Sequence, residues 1–245
     1  MLTPLQQRLL DVIGQLPEAA GFALAGGAAL IVRGTVDRKT NDLDVFIAHA
    51  DVEADTIVTM LAAFERALNE AGIASQREVV TDTFARLTVE TEQEECRIDL
   101  AVDVRIRPVE QDPQVALVSL DELAVDKTLA LFGRAAARDH QDVVALRRHF
   151  SWTALFELAS EKDAGFGVER FLEAVAAFDR RVAGVVATAS HAPSGLPVCD
   201  RSLSGDRTYC RRSRARSTKG CSAWLRARWS RTSAMVATSR RRDAR

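Results

Sequence analysis

Apolar residues at helical spacing open the chain. Leu5, Leu9, Val12, Ile13 and Leu16 form one stripe. Thr3-Pro4 predicts its start, with threonine as cap and proline at the first helical position. Gly21 closes the connection, and the run Phe22 to Ala25 predicts a first strand leading into a Gly26-Gly27 turn. A short helix over Ala28 to Val32 and a loop holding Arg33-Gly34 and Asp37-Arg38 follow. Leu43 to Ala48 reads as a strand. Asp51 is placed to cap a long helix whose Ile57, Leu61, Phe64, Leu68 and Ala71 share a face up to Gly72.

The stretches Glu78-Val79-Val80, Phe84 to Val89 and Cys96 to Val104 predict antiparallel strands, with a turn over Thr91 to Glu95. Along the last strand Ile98, Leu100 and Val102 share one face, and Arg97, Asp99, Ala101 and Asp103 the other. Ser119-x-x-Glu122 reads as a capping box opening a helix with Leu123, Val125, Leu129 and Leu131. Ser151 caps another, with Leu155, Phe156 and Leu158; Gly165-Phe166-Gly167 interrupts before a helix over Val168 to Val182. The pattern predicts an α+β fold: a small mixed β-sheet flanked by helices, then a helical second half. Residues 1–115 form the core, residues 116–189 the helical part, and residues 190–245 a tail.

Composition changes the picture at one place. The 245 residues carry a formal charge of −1, but residues 1–195 hold a net −12 and residues 196–245 a net +11. The tail follows the linker His191 to Pro197 and is rich in arginine and serine, with Tyr209, Trp224 and Trp229 interspersed. Its functional reading is a disordered arm that grips RNA through phosphate neutralisation and base stacking. The favoured reading is a disordered, non-functional segment, such as an out-of-frame translation of a GC-rich gene. The longest apolar run, Phe22 to Val32, is too short to span a bilayer, and the first residues lack signal-peptide architecture. Cys96, Cys199, Cys210 and Cys221 have neither Cys-x-x-Cys spacing nor nearby histidines, which argues against a disulfide framework or zinc site. The expectation is a soluble, cytoplasmic protein without membrane attachment.

The candidate chemistry lies at the glycine turn and the second strand. Gly26-Gly27 permits close approach of a ligand, and Asp42 and Asp44, two apart on a strand, point to one face. Paired carboxylates repel and resist desolvation, a conflict that Mg²⁺ with its oxygen ligands relieves. A phosphate cradle beside a metal-binding acid pair outlines a nucleotidyl-transfer site; a tight turn beside a solvated acidic edge is the plainer alternative. Asp99 or Asp103 is placed to supply a third carboxylate, the alternative being a solvated strand face with an Arg–Asp pair. Lys127, amid apolar positions, either snorkels to solvent or faces an anion. His140 reads as a surface helix residue.

Gly26-Gly27-x-Ala29-Leu30 followed by Arg38-x-Thr40-x-Asp42-Leu43-Asp44-Val45 resembles the AbiEii/AbiGii nucleotidyltransferase toxin family, MenT-like members included, within the polymerase-β-like superfamily. The resemblance runs from about Phe22 to His149. Glu122-Leu123-x-x-x-Lys127, Arg134 and Arg138-Asp139-x-x-Asp142-Val143 resemble its second half. One departure is Gly26-Gly27 where many superfamily members have Gly-Ser, so the turn offers no hydroxyl.

The resemblance implies Asp42, Asp44 and Asp99 as ligands of Mg²⁺ (or Mn²⁺), and Lys127 and Asp142 as further catalytic residues. Gly26, Gly27, Ala28, Arg38, Thr40, Lys127 and Asp139 would bind a nucleoside triphosphate, with Asp139 or Asp142 near the nucleophile or buttressing Lys127. It implies an RNA acceptor, the 3′ end of tRNA above all, and a toxin paired with a cognate antitoxin. The acidic core opposes RNA binding unless Arg33, Arg38, Lys39, Arg134 and Arg138 line a basic cleft. Failing that, the acceptor is a small-molecule hydroxyl of the antibiotic type, or the domain is catalytically silent and binds nucleotide or a partner.

Overall fold

The computed structural model describes residues 1–177. The end of the helix predicted to Val182, the linker, the basic tail, its three cysteines and its aromatic residues lie outside the described residues. Helix α1 (Pro4–Gly14) starts as predicted: the Thr3 hydroxyl accepts from the Gln6 amide at 3.2 Å, and the Gln6 side chain accepts from the Thr3 amide at 3.0 Å. Strand β1 (Phe22–Ala25) leads directly into α2 (Gly26–Val32), and β2 (Asp42–Ala48) follows the loop.

The predicted cap at Asp51 is corrected. Residues His49–Asp51 make a single 3₁₀ turn, and α3 (Thr56–Glu70) begins five residues later with Asp55 at its cap in the left-handed region. The intervening turn is held by Thr56, whose hydroxyl donates to the Glu53 carbonyl and accepts from its amide. The strands β3 (Ala74–Val80), β4 (Phe84–Glu90) and β5 (Glu95–Asp103) follow, then the helices α4 (Leu120–Gly133), α5 (Ala137–Leu146) and α6 (Trp152–Lys162). Residues 168–177 are helical.

The five strands form one mixed sheet in the order β1-β2-β5-β4-β3, in which only the β2–β5 pair is parallel. Leu43, Val45, Ile98, Leu100, Ala85 and Leu87 are fully buried on one face. Burying each large apolar side chain stabilises by about 1.5–3 kcal/mol. A one-residue slip of β2 would turn Leu43 and Val45 outward and drive both acids into the core, so burial fixes the register. Helices α1 and α3 pack on the sheet with Leu9, Leu10, Ile13, Met60 and Phe64 buried.

The opposite face carries the polar alternates. Helix α2 packs on β1, β2 and α4, and α4 in turn on α5 and α6. The outer edge of β1 is not free. The Leu24 amide donates to Ala116 and its carbonyl accepts from Val118, which places the chain for α4 immediately afterwards. Ser119 caps α4 through the Glu122 amide as expected. The second half of that capping box does not form. Glu122 is buried and accepts instead from the amides of Ile106 and Arg107 and from Lys162. No helix among the described residues is long and apolar enough to cross a membrane.

Candidate active site

Strand register brings the acids together. Ala25, the last residue of β1, is opposite Asp44; Asp44 is opposite Asp99 on β5; Asp99 is opposite Arg86 on β4. Cross-strand partners share a face, so this row crosses the polar side of the sheet at the point where β1 turns into α2. Gly26 has φ +60°, and a Cβ built on it would lie 1.8 Å from Asp44 Oδ2. A Cβ on Gly27 would lie 2.5 Å from Arg38 Nη2. Gly26 is thus required by its positive φ as well as by the carboxylate, whereas a side chain at residue 27 would have to displace the Arg38 tip. Ala28 is buried behind the two glycines in α2.

Four of the five acids at this end of the sheet hold a cation. Asp142, wholly buried on α5, accepts from Arg38 Nε and Nη2, both at 2.8 Å, and from Lys127 Nζ at 3.0 Å. Asp139, also buried, accepts from Arg134 at 2.7 and 2.8 Å. Asp99 accepts from Arg86 at 2.7 Å on both oxygens. Asp42 accepts from the Thr40 hydroxyl and lies 3.4 Å from Arg138 and 3.7 Å from Arg97. Of these five acids, Asp44 alone has neither an ion-pair nor a hydrogen-bond partner.

The ionisation of the two strand acids reflects this difference. Burial pushes the Asp44 carboxyl up to about 6, helped by the charges of Asp42 and Asp99 and opposed by Lys127 and Arg138. Burial also acts upward on Asp42. The Thr40 hydrogen bond and the charges of Arg138, Arg97 and Lys127 outweigh it, holding Asp42 below the usual carboxylate range. An uncompensated carboxylate beside an ionised one suits a hard divalent cation bound through oxygen.

The set of three acids whose ligand atoms lie within 4.8 Å of one another, among the described residues, is elsewhere: Asp103, Glu122 and Asp126. That set already surrounds a cation. Lys162 Nζ lies 3.2, 2.7 and 2.5 Å from the three carboxylates, and their charges raise its pKa against the pull of burial. Asp103 thus belongs to this lysine-centred cluster.

Several other sequence expectations are resolved. Lys127 is buried on Asp142 and does not snorkel. His140 is 3% exposed, so its reading as a surface residue is corrected: its side of α5 is the buried side. Arg33 is tied to Glu110 and the Val118 carbonyl, bracing α2 against the chain beside β1. Lys39 is exposed. Sequence reasoning put Arg97 on the face of Asp99 but gave neither it nor Arg86 a place in the site. The strand register does so, setting Arg86 opposite Asp99 and Arg97 opposite Asp42.

Residues 8–197 match the family model described as nucleotidyl transferase AbiEii toxin, type IV toxin–antitoxin system. Among solved structures, JHP933 from Helicobacter pylori is 18% identical; the alignment covers 78% of this chain and 97% of that one, with a TM-score of 0.44. The antibiotic-resistance factor ANT(2'')-Ia is also 18% identical, over 77% of this chain and 98% of its own, with a TM-score of 0.37. No curated protein matches in sequence. The family assignment rests on the sequence match.

Proposed function

This chain belongs to the AbiEii family of nucleotidyl transferase toxins, and we propose that its site moves a nucleoside monophosphate from a nucleoside triphosphate onto the 3′ hydroxyl of tRNA. The observation that carries the reading is Asp44: at an end of the sheet where each of the other four acids pairs with a side-chain cation, this one pairs with none. Asp42 and Asp44 are the residues suited to hold Mg²⁺ or Mn²⁺. When bound, the ion would supply charge stabilisation at the phosphates and a template for in-line displacement.

The chain's own groups supply the remainder. Lys127, fixed by the buried Asp142, presents positive charge to the leaving pyrophosphate. The Gly26 and Gly27 amides open α2 without a side-chain cap, leaving them free to donate. Asp99 receives the hydrogen bond of the attacking hydroxyl, with Arg86 fixing the orientation of its carboxylate; it can join the metal only if Arg86 lets go. In the transfer the bond from the α-phosphorus to pyrophosphate breaks, a bond to the 3′ oxygen forms, and the hydroxyl proton passes to Asp99. Arg97, Arg134 and Arg138, each about half exposed, surround Asp42 and Asp139 and give the otherwise acidic residues 1–195 a local basic rim for RNA. Modification of that end would stop translation, the action of a toxin held in check by an antitoxin.

Transfer of label from an α-labelled but not a γ-labelled triphosphate to tRNA tests the reaction, and periodate oxidation of the tRNA 3′ end tests the acceptor. The reading requires that oxidised tRNA take no label. The net −12 of residues 1–195 favours a second acceptor, a small-molecule hydroxyl. Label entering a hydroxyl-bearing antibiotic but no RNA would select it.

A further inference from the structure

We propose that Gln6 is a positioning residue of the candidate site: the capping glutamine of α1 reaches the start of β2, fixes Thr40, and through it sets the carboxylate of Asp42. The inference rests on the nucleotidyl-transfer reading, in which Asp42 holds a divalent cation. Gln6 is 2% exposed, and both ends of its amide are used. Its Oε1 accepts from the Thr3 amide at 3.0 Å, and its Nε2 donates to the Thr40 carbonyl at 2.9 Å across 34 residues of chain. A capping box takes glutamate or glutamine at this position, because it needs only an acceptor there. The bond to Thr40 needs a donor, which glutamine has and an ionised glutamate lacks. The amide is therefore selected by its contact with Thr40 and not by the helix. The neighbouring Leu5 amide donates at 3.0 Å to Glu94, in the turn between β4 and β5. The first turn of α1 is thus fastened to the sheet at two points.

Thr40 is 8% exposed and lies just before β2. Gln6 holds its carbonyl, and the next carbonyl, that of Asn41, accepts from the Arg97 amide at 3.1 Å. With two successive carbonyls held, the Thr40 side chain has a fixed direction, and its hydroxyl donates to Asp42 Oδ1. The other oxygen, Oδ2, faces the looser contacts of Arg138 at 3.4 Å and Arg97 at 3.7 Å, from side chains about half exposed. Thr40 is the tight anchor of this carboxylate, and Gln6 holds the anchor. A ligand oriented by its outer hydrogen bonds before the metal arrives binds that metal more tightly.

The test is titration of the full chain with Mn²⁺, followed by electron paramagnetic resonance. The share of the site is the binding that Asp44→Ala lacks. Thr40→Ala weakens that share about tenfold, the usual loss when the outer partner of a ligand is removed. Gln6→Met and Gln6→Leu, both good helix formers, each weaken it about threefold or more. The double variant Gln6→Met/Thr40→Ala binds no more weakly than Thr40→Ala alone, because Gln6 acts through Thr40. Thr3→Ala, which breaks the other half of the capping box, lowers the melting temperature and leaves Mn²⁺ affinity unchanged, so capping and positioning separate. Wild-type affinity in both Gln6 variants, or losses that multiply in the double variant, would overturn the assignment and leave the transferase reading standing. Failure of both Gln6 variants to fold would also overturn it, because the residue would then serve the core alone. Absence of Asp44-dependent Mn²⁺ binding by wild type would overturn both.

Discussion

Gly26 and Asp44 are in such close contact that a Cβ atom on the glycine would sit 1.8 Å from the carboxylate oxygen of the aspartate. The turn and the strand acid are thus one unit, assembled by the pairing of Ala25 with Asp44. Gly26→Ala strains it twice, through the positive φ, which costs an L-residue about 1–2 kcal/mol, and through the displaced carboxylate. The expected outcome is a folded protein with a melting temperature several degrees lower and Mn²⁺ binding lost. Thermal denaturation and Mn²⁺ electron paramagnetic resonance measure the two effects.

Asp44→Asn separates stability from function. The folded-state value of about 6 lies above the ordinary 3.8, so the native state holds this proton more tightly than the unfolded chain. The stabilisation from that proton is complete below the ordinary value and is lost as pH rises through 6. Above pH 6 the asparagine variant should therefore be more stable than wild type, by about 1 kcal/mol once solvent screening is allowed for. Near pH 4 the difference should vanish. Urea denaturation at the two pH values tests this. Mn²⁺ affinity of wild type should fall as pH drops below 6, because the proton competes for the ligand.

Asp142 binds two cations in a fully buried position. Its removal as Asp142→Ala leaves both unpaired and should destabilise by about 3–5 kcal/mol. Asp142→Asn keeps the shape and one acceptor, so it should fold. Lys127 would then be poorly fixed, and kcat/KM should fall at least a hundredfold with a smaller change in melting temperature. Denaturation curves and steady-state kinetics on the two variants check the separation.

Lys162 fills the centre of the Asp103, Glu122 and Asp126 cluster. Lys162→Ala should destabilise the protein by about 3–5 kcal/mol, since three carboxylates lose their counter-charge. It also opens a three-oxygen site. Millimolar Ca²⁺ should raise the melting temperature of the variant and leave that of wild type unchanged. Asp126, pushed up to about 6 by burial while Lys162 opposes the rise, should go higher still in the variant, so the rescue should weaken as pH falls.

Much of the fold was legible because local signals agreed with burial. The Thr3 cap, the apolar alternation of β2 and β5, and the glycine turn each appear where the pattern placed them. Asp51 misled because an acid before an apolar stripe resembles a cap, whereas the chain first spends five residues in a turn fixed by Thr56. Glu122 misled because its carboxylate had a stronger use: two amides and a lysine brought from 15 to 40 residues away. At the site the acids could be named from sequence, but of their partners only Lys127 could, with Asp139 and Asp142 left as alternatives beside it. Arg86 reaches Asp99 across the β4–β5 pair and Arg38 reaches Asp142 across 104 residues, contacts that only tertiary register creates. The departure from Gly-Ser acquires its physical reason in the same way, since Arg38 stands where a residue-27 side chain would go.

The central claim is tested most directly by incubating the full chain and its Asp44→Ala variant with total tRNA, Mg²⁺ and each α-labelled nucleoside triphosphate in turn. The account predicts that wild type transfers label to tRNA from at least one nucleotide and that the variant, still folded, transfers none. Equal labelling by the variant, or none by wild type with any nucleotide, would contradict it.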